Sequence, residues 1–263
     1  MMQKENCGEN IIEYLLYAER DVHEVGKITS EHPTLSIDEA YALQDGLLER
    51  RQAENKTKTI GIKLCMTSLE RQKSFGINKP IYGFLQTDML AYEWKPIVRN
   101  ELIHPLVEAE LAFFIGETIK DAHVTAETLL RATSYVTPAL EIIDSRYKDY
   151  RFTVADVIAD NCSSAKFVMG SSFHKPADIN FSNIGMVMTK NGDIVQTGTS
   201  AAVLGNPVKA VTETVKELVK RGKQLAEGDI VLSGPFTTGI PLEKGDTFVA
   251  SFEQLGTVSI SAI

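Results

Sequence analysis

The chain of 263 residues can form one large domain or two small ones, and its 43% hydrophobic and 24% charged residues are ordinary for a globular protein. Its net charge of -8 gives nucleic acid no general attraction. No apolar run approaches the roughly 20 residues that span a bilayer, and the polar start predicts no signal peptide. Three scattered cysteines, without metal-site spacing, favour a reduced, cytoplasmic location: Cys7, Cys65 and Cys162. We therefore expect no nucleic-acid or membrane partner.

The first part of the chain, about residues 1–58, is predicted to be helical. Apolar residues spaced by three and four predict an amphipathic helix over residues 9–26 that ends at Gly26. Ser36 and Glu39 form a capping-box signature for a second helix, which runs to about Glu54. The buried stripe of this second helix is predicted to comprise Ile37, Tyr41, Leu47 and Leu48.

From Thr59 onward the pattern is typical of strands. Because no obvious linker separates the two parts, residues 59–263 are interpreted as the β-rich core of one catalytic domain that spans the chain. The first strand carries Lys63 within apolar sequence. A lysine there either reaches the surface or enters a polar cavity, and the pattern alone favours the surface.

Two carboxylates lie two residues apart in the strand predicted over residues 105–116. Glu108 and Glu110 would project from one face, because side chains alternate along a strand. Charges so close repel each other unless a proton or a cation lies between them. With Glu141 in a second apolar run, three acids suggest a divalent cation held by oxygen ligands. Half-exposed strands whose acids face water explain the same pattern equally well.

The second half of the chain contains clear turn and cap signals. Asn191-Gly192 predicts a hairpin with a type I′ turn. Asn206 and Pro207 begin a helix that Gly222 ends. The small polar residues over 158–164 form either a simple turn or a loop of donors that faces a polar ligand.

Nucleotide and hydrolase motifs are absent from the sequence. It contains no glycine-rich phosphate loop, no Gly-x-Gly-x-x-Gly opening a helix and no Gly-x-Ser-x-Gly elbow. This argues against a Walker-type kinase, a Rossmann dehydrogenase and an α/β-hydrolase. Metal-assisted chemistry on a small oxyacid is the sharpest remaining hypothesis.

An ordered series of short segments extends this hypothesis. The series comprises Ile62-Lys63, Pro80-Ile81-Tyr82-Gly83, Glu108-Ala109-Glu110, Glu141-Ile142-Ile143-Asp144-Ser145-Arg146, Ala159-Asp160-Asn161 and Ala202-Val203-Leu204-Gly205-Asn206-Pro207. From about Val22 to the C-terminus, the chain resembles the hydratase/decarboxylase branch of the fumarylacetoacetate hydrolase superfamily. The resemblance implies an α+β fold: a mixed β-sandwich roll of that superfamily's C-terminal-domain type, with peripheral helices and a helical N-terminal portion.

The resemblance also implies the site and its cofactor. Mg2+ (or Mn2+) would be bound by Glu108, Glu110 and Glu141, and it would act as a Lewis acid toward a 2-oxo acid. Lys63 matches the active-site lysine of the family and would contact a substrate carboxylate or assist proton transfer. Ser163 and Thr237 are predicted substrate contacts. Cys162 stands where many relatives have alanine.

Two activities occur on chains of this branch, and Ile81 bears on the choice between them. Hydratases typically carry an aspartate at this place. An apolar side chain cannot move a proton and makes the pocket drier. Ile81 is therefore included among the predicted substrate-binding residues. We expect decarboxylation of 2-oxo-3-hexenedioate (4-oxalocrotonate) to 2-hydroxypenta-2,4-dienoate and CO2 in catechol meta-cleavage. The alternatives are 2-hydroxypentadienoate hydratase, an acylpyruvate hydrolase, which the chain fits poorly, and a catalytically silent partner of the hydratase. A homo-oligomer and a complex with the pathway hydratase are the expected assemblies.

Overall fold

The computed structural model describes the backbone of residues 2–263 and the side chains from Gly8 onward. Cys7, one of the three cysteines expected to be reduced, therefore lies outside the described side chains. Six α-helices are described: α1 (Met2–Arg20), α2 (Ile37–Asn55), α3 (Leu69–Ser74), α4 (Ala126–Ala132), α5 (Val154–Ala159) and α6 (Pro207–Lys220). The strands are β1 (Thr59–Cys65), β2 (Ile81–Gln86), β3 (Leu90–Ala91), β4 (Leu106–Ile115), β5 (Thr133–Ile143), β6 (Ser164–Met169), β7 (Gly185–Lys190), β8 (Asp193–Thr199), β9 (Ile230–Leu232), β10 (Ile240–Pro241), β11 (Thr247–Phe252) and β12 (Gly256–Ser261). None of the described helices is both long and apolar enough to cross a membrane.

The strands form two sheets. The larger sheet has the order β2-β1-β9-β4-β5-β6-β3, with β10 paired to β4, and it mixes parallel and antiparallel neighbours. The smaller sheet is antiparallel throughout, in the order β12-β11-β7-β8. Its strands β11 and β12 contact β5 of the larger sheet. This α+β arrangement confirms the predicted fold class.

Strands β4 and β5 lie in the middle of the larger sheet and are covered on both faces. One face of β4 carries Val107, Ala109, Leu111 and Phe113, which belong to the main hydrophobic core. The opposite face carries Glu108, Glu110 and Ala112. Burial on both faces explains why the sequence of β4 reads as an almost continuous apolar run.

A second, smaller apolar cluster lies on the face that carries the acids. Ala139 is opposite Glu110 in the β4–β5 register, and Phe167 is opposite Glu141 across β5 and β6. Both apolar residues are fully buried in this cluster. Glu110 and Glu141 are therefore surrounded by apolar packing and do not lie on a solvated strand face.

The second N-terminal helix agrees with the prediction at both ends, whereas the first begins at Met2, before the predicted residue 9, and ends earlier than predicted. The Ser36 capping box of α2 is present. The predicted end of the first helix was wrong: α1 ends at Arg20, and Val22 adopts a left-handed φ of 50°. Val25 then pairs with Tyr147 in an isolated bridge, so a tertiary contact takes this segment out of the helix.

The predicted buried stripe of α2 was correct except at its first member. Tyr41, Leu47 and Leu48 are buried, but Ile37 is 41% exposed. Gln44 is fully buried instead, because its amide donates to the Tyr82 and Ile158 carbonyls. Burial of a polar residue is tolerated here since backbone acceptors pair its donors.

Turn signals in the second half were confirmed. Asn191 and Gly192 have φ values of 55° and 92°, as a type I′ turn requires, between β7 and β8. Asn206 caps α6 through the amide of Val208, and Pro207 is its first residue. These elements depend on contacts between residues that are neighbours in the chain, so they can be predicted from the sequence.

Candidate metal centre and active site

The pairing of β4 with β5 brings the three predicted metal ligands together. Glu108 lies directly opposite Glu141, and Glu110 follows on the same face of β4. One carboxylate oxygen from each lies within 4.8 Å of the others. Like charges directly opposite in a sheet are destabilising. The arrangement therefore needs protons or a cation to be stable.

Burial makes this repulsion more costly. Glu110 and Glu141 are at most 1% exposed, while Glu108 remains partly exposed. Burial raises the pKa of Glu108 to about 8, although Lys63 lowers it. Burial and the neighbouring Glu141 and Glu108 carboxylates raise the pKa of Glu110 well above its ordinary value. Burial also raises the pKa of Glu141. Without a cation, the cluster holds protons at neutral pH.

The hydrogen bonding around the cluster fits a divalent cation. Oε2 of Glu110 accepts a hydrogen bond of 2.7 Å from the Gly234 amide. Its Oε1, and Oε2 of Glu141, have no N–H or hydroxyl donor among the described residues. Buried acceptors without donors are rare, and carboxylate oxygens are the preferred ligands of Mg2+ and Ca2+. The donor set therefore suits a hard cation.

Lys63 lies beside this cluster and not at the surface. It is 2% exposed, and its Nζ is 3.0 Å from Oε1 of Glu141. Burial opposes the charge of Lys63, but Glu141 outweighs burial and holds the lysine pKa above its ordinary value. The surface location favoured by the pattern was wrong, because β1 is an interior strand between β2 and β9.

A cavity of about 360 Å³ opens onto the cluster. Four of the predicted site residues, Lys63, Glu108, Ser163 and Thr237, line this cavity. Its apolar wall includes Leu106, Ile143, Phe152, Val157 and Phe236. The volume lies in the range of small-molecule sites, and the mixture of apolar wall and few polar groups is typical of them.

The two predicted hydroxyl contacts differ in their availability. Oγ1 of Thr237 is buried and has no hydrogen-bond partner among the described residues. Oγ of Ser163 donates to Oδ2 of Asp160 at 3.4 Å. The Thr237 hydroxyl is therefore the freer of the two to bind a ligand.

Ile81 does not line the cavity. It is 5% exposed and lies opposite Cys65 in the β1–β2 register, on the face that carries Lys63. The cavity wall at this point is formed by Cys65 and Cys162. A hydrogen bond from the Cys162 thiol lowers the pKa of Cys65 to about 7. Any influence of Ile81 on the reaction must pass through its neighbours.

The polar loop over residues 158–164 serves both the fold and the cavity. The side chain of Asn161 accepts from the Phe84 amide and donates to the Phe84 carbonyl. Asp160 forms a buried ion pair with Arg146, whose guanidinium also donates to the Asp144 and Ser164 carbonyls. These residues fix the loop, and Ser163 is thereby positioned on the cavity wall.

Gly234 orients the carboxylate of Glu110, one of the predicted metal ligands, and sequence reasoning missed this role. Its φ is 91°, a value that favours glycine. A Cβ at this position would lie 2.8 Å from Cβ of Thr67. Only glycine can therefore bring its amide against Glu110 here. The Ser233-Gly234-Pro235 turn is visible in the sequence, but its contact with β4 is not local.

Comparison with known proteins agrees with this geometry. The family described as fumarylacetoacetate (FAA) hydrolase C-terminal matches residues 58–261. A 4-oxalocrotonate decarboxylase of Pseudomonas sp. (strain CF600) is 33% identical over 95% of this chain and 94% of its own length. A 2-keto-4-pentenoate hydratase of Paraburkholderia xenovorans (strain LB400) is also 33% identical, over 89% of this chain and 87% of its own length.

A solved structure extends the similarity to nearly every residue. The 4-oxalocrotonate decarboxylase of Pseudomonas putida G7, complexed with magnesium and adipate, superposes with a TM-score of 0.94 and 31% identity. The match covers 98% of each chain. Family match, relatives and fold agree, and we conclude that this chain is an enzyme of the fumarylacetoacetate hydrolase family.

Proposed function

We propose that this protein catalyses the Mg2+-dependent decarboxylation of 2-oxo-3-hexenedioate to 2-hydroxypenta-2,4-dienoate and CO2. The observation that carries the proposal is the cluster of Glu108, Glu110 and Glu141 with Lys63 beside it, at the inner end of a cavity. The similarity to decarboxylases over 95% of the chain supports this choice of reaction. A site of this kind stabilises negative charge on an oxyacid.

The three glutamates would hold the cation, and Gly234 would keep the Glu110 carboxylate in place. When bound, Mg2+ supplies Lewis-acid stabilisation of negative charge on the 2-oxo oxygen. In the overall reaction the C5–C6 bond breaks, its electron pair shifts through the alkene to the 2-oxo oxygen, and one proton from solvent is added to that oxygen, which gives 2-hydroxypenta-2,4-dienoate and CO2. Lys63 would contact the substrate at its 2-oxo acid end, through the carboxylate or the 2-oxo oxygen, and would hold a proton near that oxygen. The apolar wall, with Phe152 and Phe236, limits water around the reacting carbons.

A direct assay tests the reaction. The purified protein is supplied with Mg2+ and 2-oxo-3-hexenedioate, and both CO2 and 4-hydroxy-2-oxopentanoate are measured. We expect CO2 release that EDTA abolishes. Hydration of 2-hydroxypentadienoate without CO2 release from the dicarboxylate would replace this proposal with the hydratase. Tight Mg2+ binding without either product would support a catalytically silent role.

The hydratase is the second candidate because hydratases match the chain at the same identity as decarboxylases. Ile81 is the residue on which we base the choice. It is apolar, buried and paired with Cys65, so it offers no proton for water addition.

Ile81→Asp tests this choice of reaction. We expect the variant to lose decarboxylase selectivity and to gain hydration product, whereas Ile81→Val retains the wild-type product ratio. Product analysis by chromatography measures the ratio, and circular dichroism checks that the buried aspartate has not unfolded the chain. A folded Ile81→Asp variant with an unchanged product ratio would remove this argument.

We also propose the assemblies that the resemblance implies. These are a homo-oligomer and a complex with the hydratase that consumes the product. Light scattering of the protein alone, and of a mixture with such a hydratase, tests both. A monomer that does not associate with the hydratase would contradict them.

A further inference from the structure

The cavity wall carries one cation that the metal cluster does not engage. Lys63 is paired with Glu141 at the closed end. Arg71, on α3, lines the same cavity and is exposed. No acidic side chain forms an ion pair with Arg71 within the described part of the chain. An arginine that lines a cavity without a protein anion is free to bind a ligand anion.

Electrostatics agree with this placement. Burial raises the pKa of Glu108, and the positive charge of Arg71 is among the influences that lower it. Arg71 also lowers the pKa of Cys65. The guanidinium therefore acts on both the acid and the thiol of the cavity wall. Glu70, its neighbour in sequence, lines the cavity too. Adjacent residues of a helix point in different directions, so Glu70 does not compensate Arg71 as an i,i+4 partner would.

We infer that Arg71 is the specificity residue that binds the distal carboxylate of the dicarboxylic substrate. This inference rests on the proposed function. The buried end of the cavity, with Lys63 and the three glutamates, would receive the 2-oxo acid end. The opposite end of the substrate then lies toward the exposed rim, where Arg71 is the available cation.

The chemistry limits what Arg71 can do. A carboxylate that leaves as CO2 loses its charge, so an ion pair to it stabilises the bound substrate more than the transition state. Arg71 therefore captures and orients the substrate without accelerating bond cleavage. An exposed position suits this role, because water can replace the guanidinium contact as the carboxylate leaves. In a chain of net charge -8, Arg71 also offers a dianion local attraction.

Binding of stable acids tests the inference without turnover. Calorimetry of the Mg2+-loaded full chain with adipate, a dicarboxylate, and hexanoate, a monocarboxylate, gives the two affinities. For Arg71→Gln we expect adipate affinity to fall about tenfold, as for one charge-assisted hydrogen bond, with hexanoate changed less than about twofold. Arg71→Lys should retain most of the adipate preference. Lys73→Gln is the matched control, since Lys73 is an exposed cation of α3 outside the cavity lining.

Kinetics give a second readout that a merely structural role would not produce. Arg71→Gln should raise KM for 2-oxo-3-hexenedioate while kcat stays unchanged or increases, and the ionic-strength dependence of kcat/KM should weaken. Equal losses for adipate and hexanoate, or equal effects of Lys73→Gln, would overturn the inference. If the protein does not decarboxylate the substrate but Arg71 still selects adipate, the proposed function fails and the binding role stands. If turnover occurs and Arg71→Gln binds adipate normally, only the inference fails.

Discussion

Lys63 is the residue on which the electrostatics of the site depend. Its ammonium lies 3.0 Å from Glu141, and both side chains are buried. It thereby compensates one of three neighbouring carboxylates while remaining on the cavity wall. A cation in this position can stabilise negative charge on the substrate as well as on Glu141.

Replacement of Lys63 by methionine keeps the length of the side chain and removes its charge. We expect turnover to fall roughly 10²–10³-fold, the effect of losing one preorganised charged donor. Mg2+ affinity should not weaken, because Glu141 loses a competing cation. Steady-state kinetics and calorimetry measure the two effects. Lys58→Met, at an exposed position, is the control. Wild-type kcat in Lys63→Met would contradict the assignment.

Glu108→Gln removes one of the two directly opposed charges. Near pH 8, where the Glu108 carboxyl of the wild type begins to lose its proton, the metal-free variant should melt at a higher temperature than the metal-free wild type, since it has no charge at this position to repel Glu141. Its melting temperature should no longer respond to Mg2+, because a ligand is lost. Differential scanning fluorimetry with and without Mg2+ checks both. Glu70→Gln, an exposed acid on the same cavity, should keep the wild-type response. A full Mg2+ response in Glu108→Gln would show that the cluster is not the metal site.

At the scale of the secondary-structure elements, a buried ion pair holds the loop after α5. Arg146 and Asp160 are both almost inaccessible to solvent, and three carbonyl oxygens also accept from the same guanidinium. The segments that contain this pair were identified in the sequence, but only as family motifs. The structure shows that they hold together the end of β5 and the loop that carries Ser163.

Arg146→Leu leaves Asp160 buried without its partner. We expect the free energy of unfolding to fall by about 3–5 kcal/mol, the usual cost of breaking a buried pair from one side. Urea denaturation measures this change. Arg151→Leu is a control at an exposed position, and we expect it to change stability by less than about 0.5 kcal/mol. Equal stabilities of the two variants would show that the buried pair contributes little.

The elements also show which parts of the structure a sequence can predict. Caps and turns such as Ser36 and Asn191-Gly192 were correct, because their chemistry involves neighbours in the chain. The predictions that Lys63 lies at the surface and that the first helix ends at Gly26 were wrong. Both depend on long-range contacts: the placement of β1 within the sheet and the bridge from Val25 to Tyr147.

The site, like the fold, was predictable only where it depends on local pattern. Alternation along a strand placed Glu108 and Glu110 on one face, but it could not tell metal from water. Their proximity to Glu141 depends on the register of β4 and β5, which no local pattern states. The family resemblance supplied Glu141 as the third predicted ligand. Arg71 has no distinguishing local pattern, and only the cavity reveals it.

At the scale of the whole molecule, the acid cluster couples stability to pH. The folded pKa of Glu108 is about 8 and its ordinary value is 4.5. Between these values the metal-free native state binds more protons than the unfolded state, so the free energy of unfolding falls as pH rises. Mg2+ competes with these protons, and its stabilising effect should be larger near the upper end of this window than near the lower end.

Melting temperatures across this pH window, in EDTA and in Mg2+, test the coupling. Subtraction of the Glu108→Gln values removes the contribution of other groups. We expect the difference in EDTA to show the wild type losing stability relative to the variant as pH rises toward 8. A difference that is flat, or of opposite sign, would contradict the raised pKa.

The direct opposition of Glu108 and Glu141 also affects how quickly the sheet assembles. The two strands that carry them pair over ten positions, from Leu106 with Ile143 to Ile115 with Thr133. In the unfolded chain both carboxylates are charged at neutral pH, so closing this ladder brings two anions together before any packing has excluded water. A divalent ion or a proton removes that barrier. We therefore expect refolding at neutral pH to be faster with Mg2+ than with EDTA, and stopped-flow fluorescence in the two conditions measures this difference.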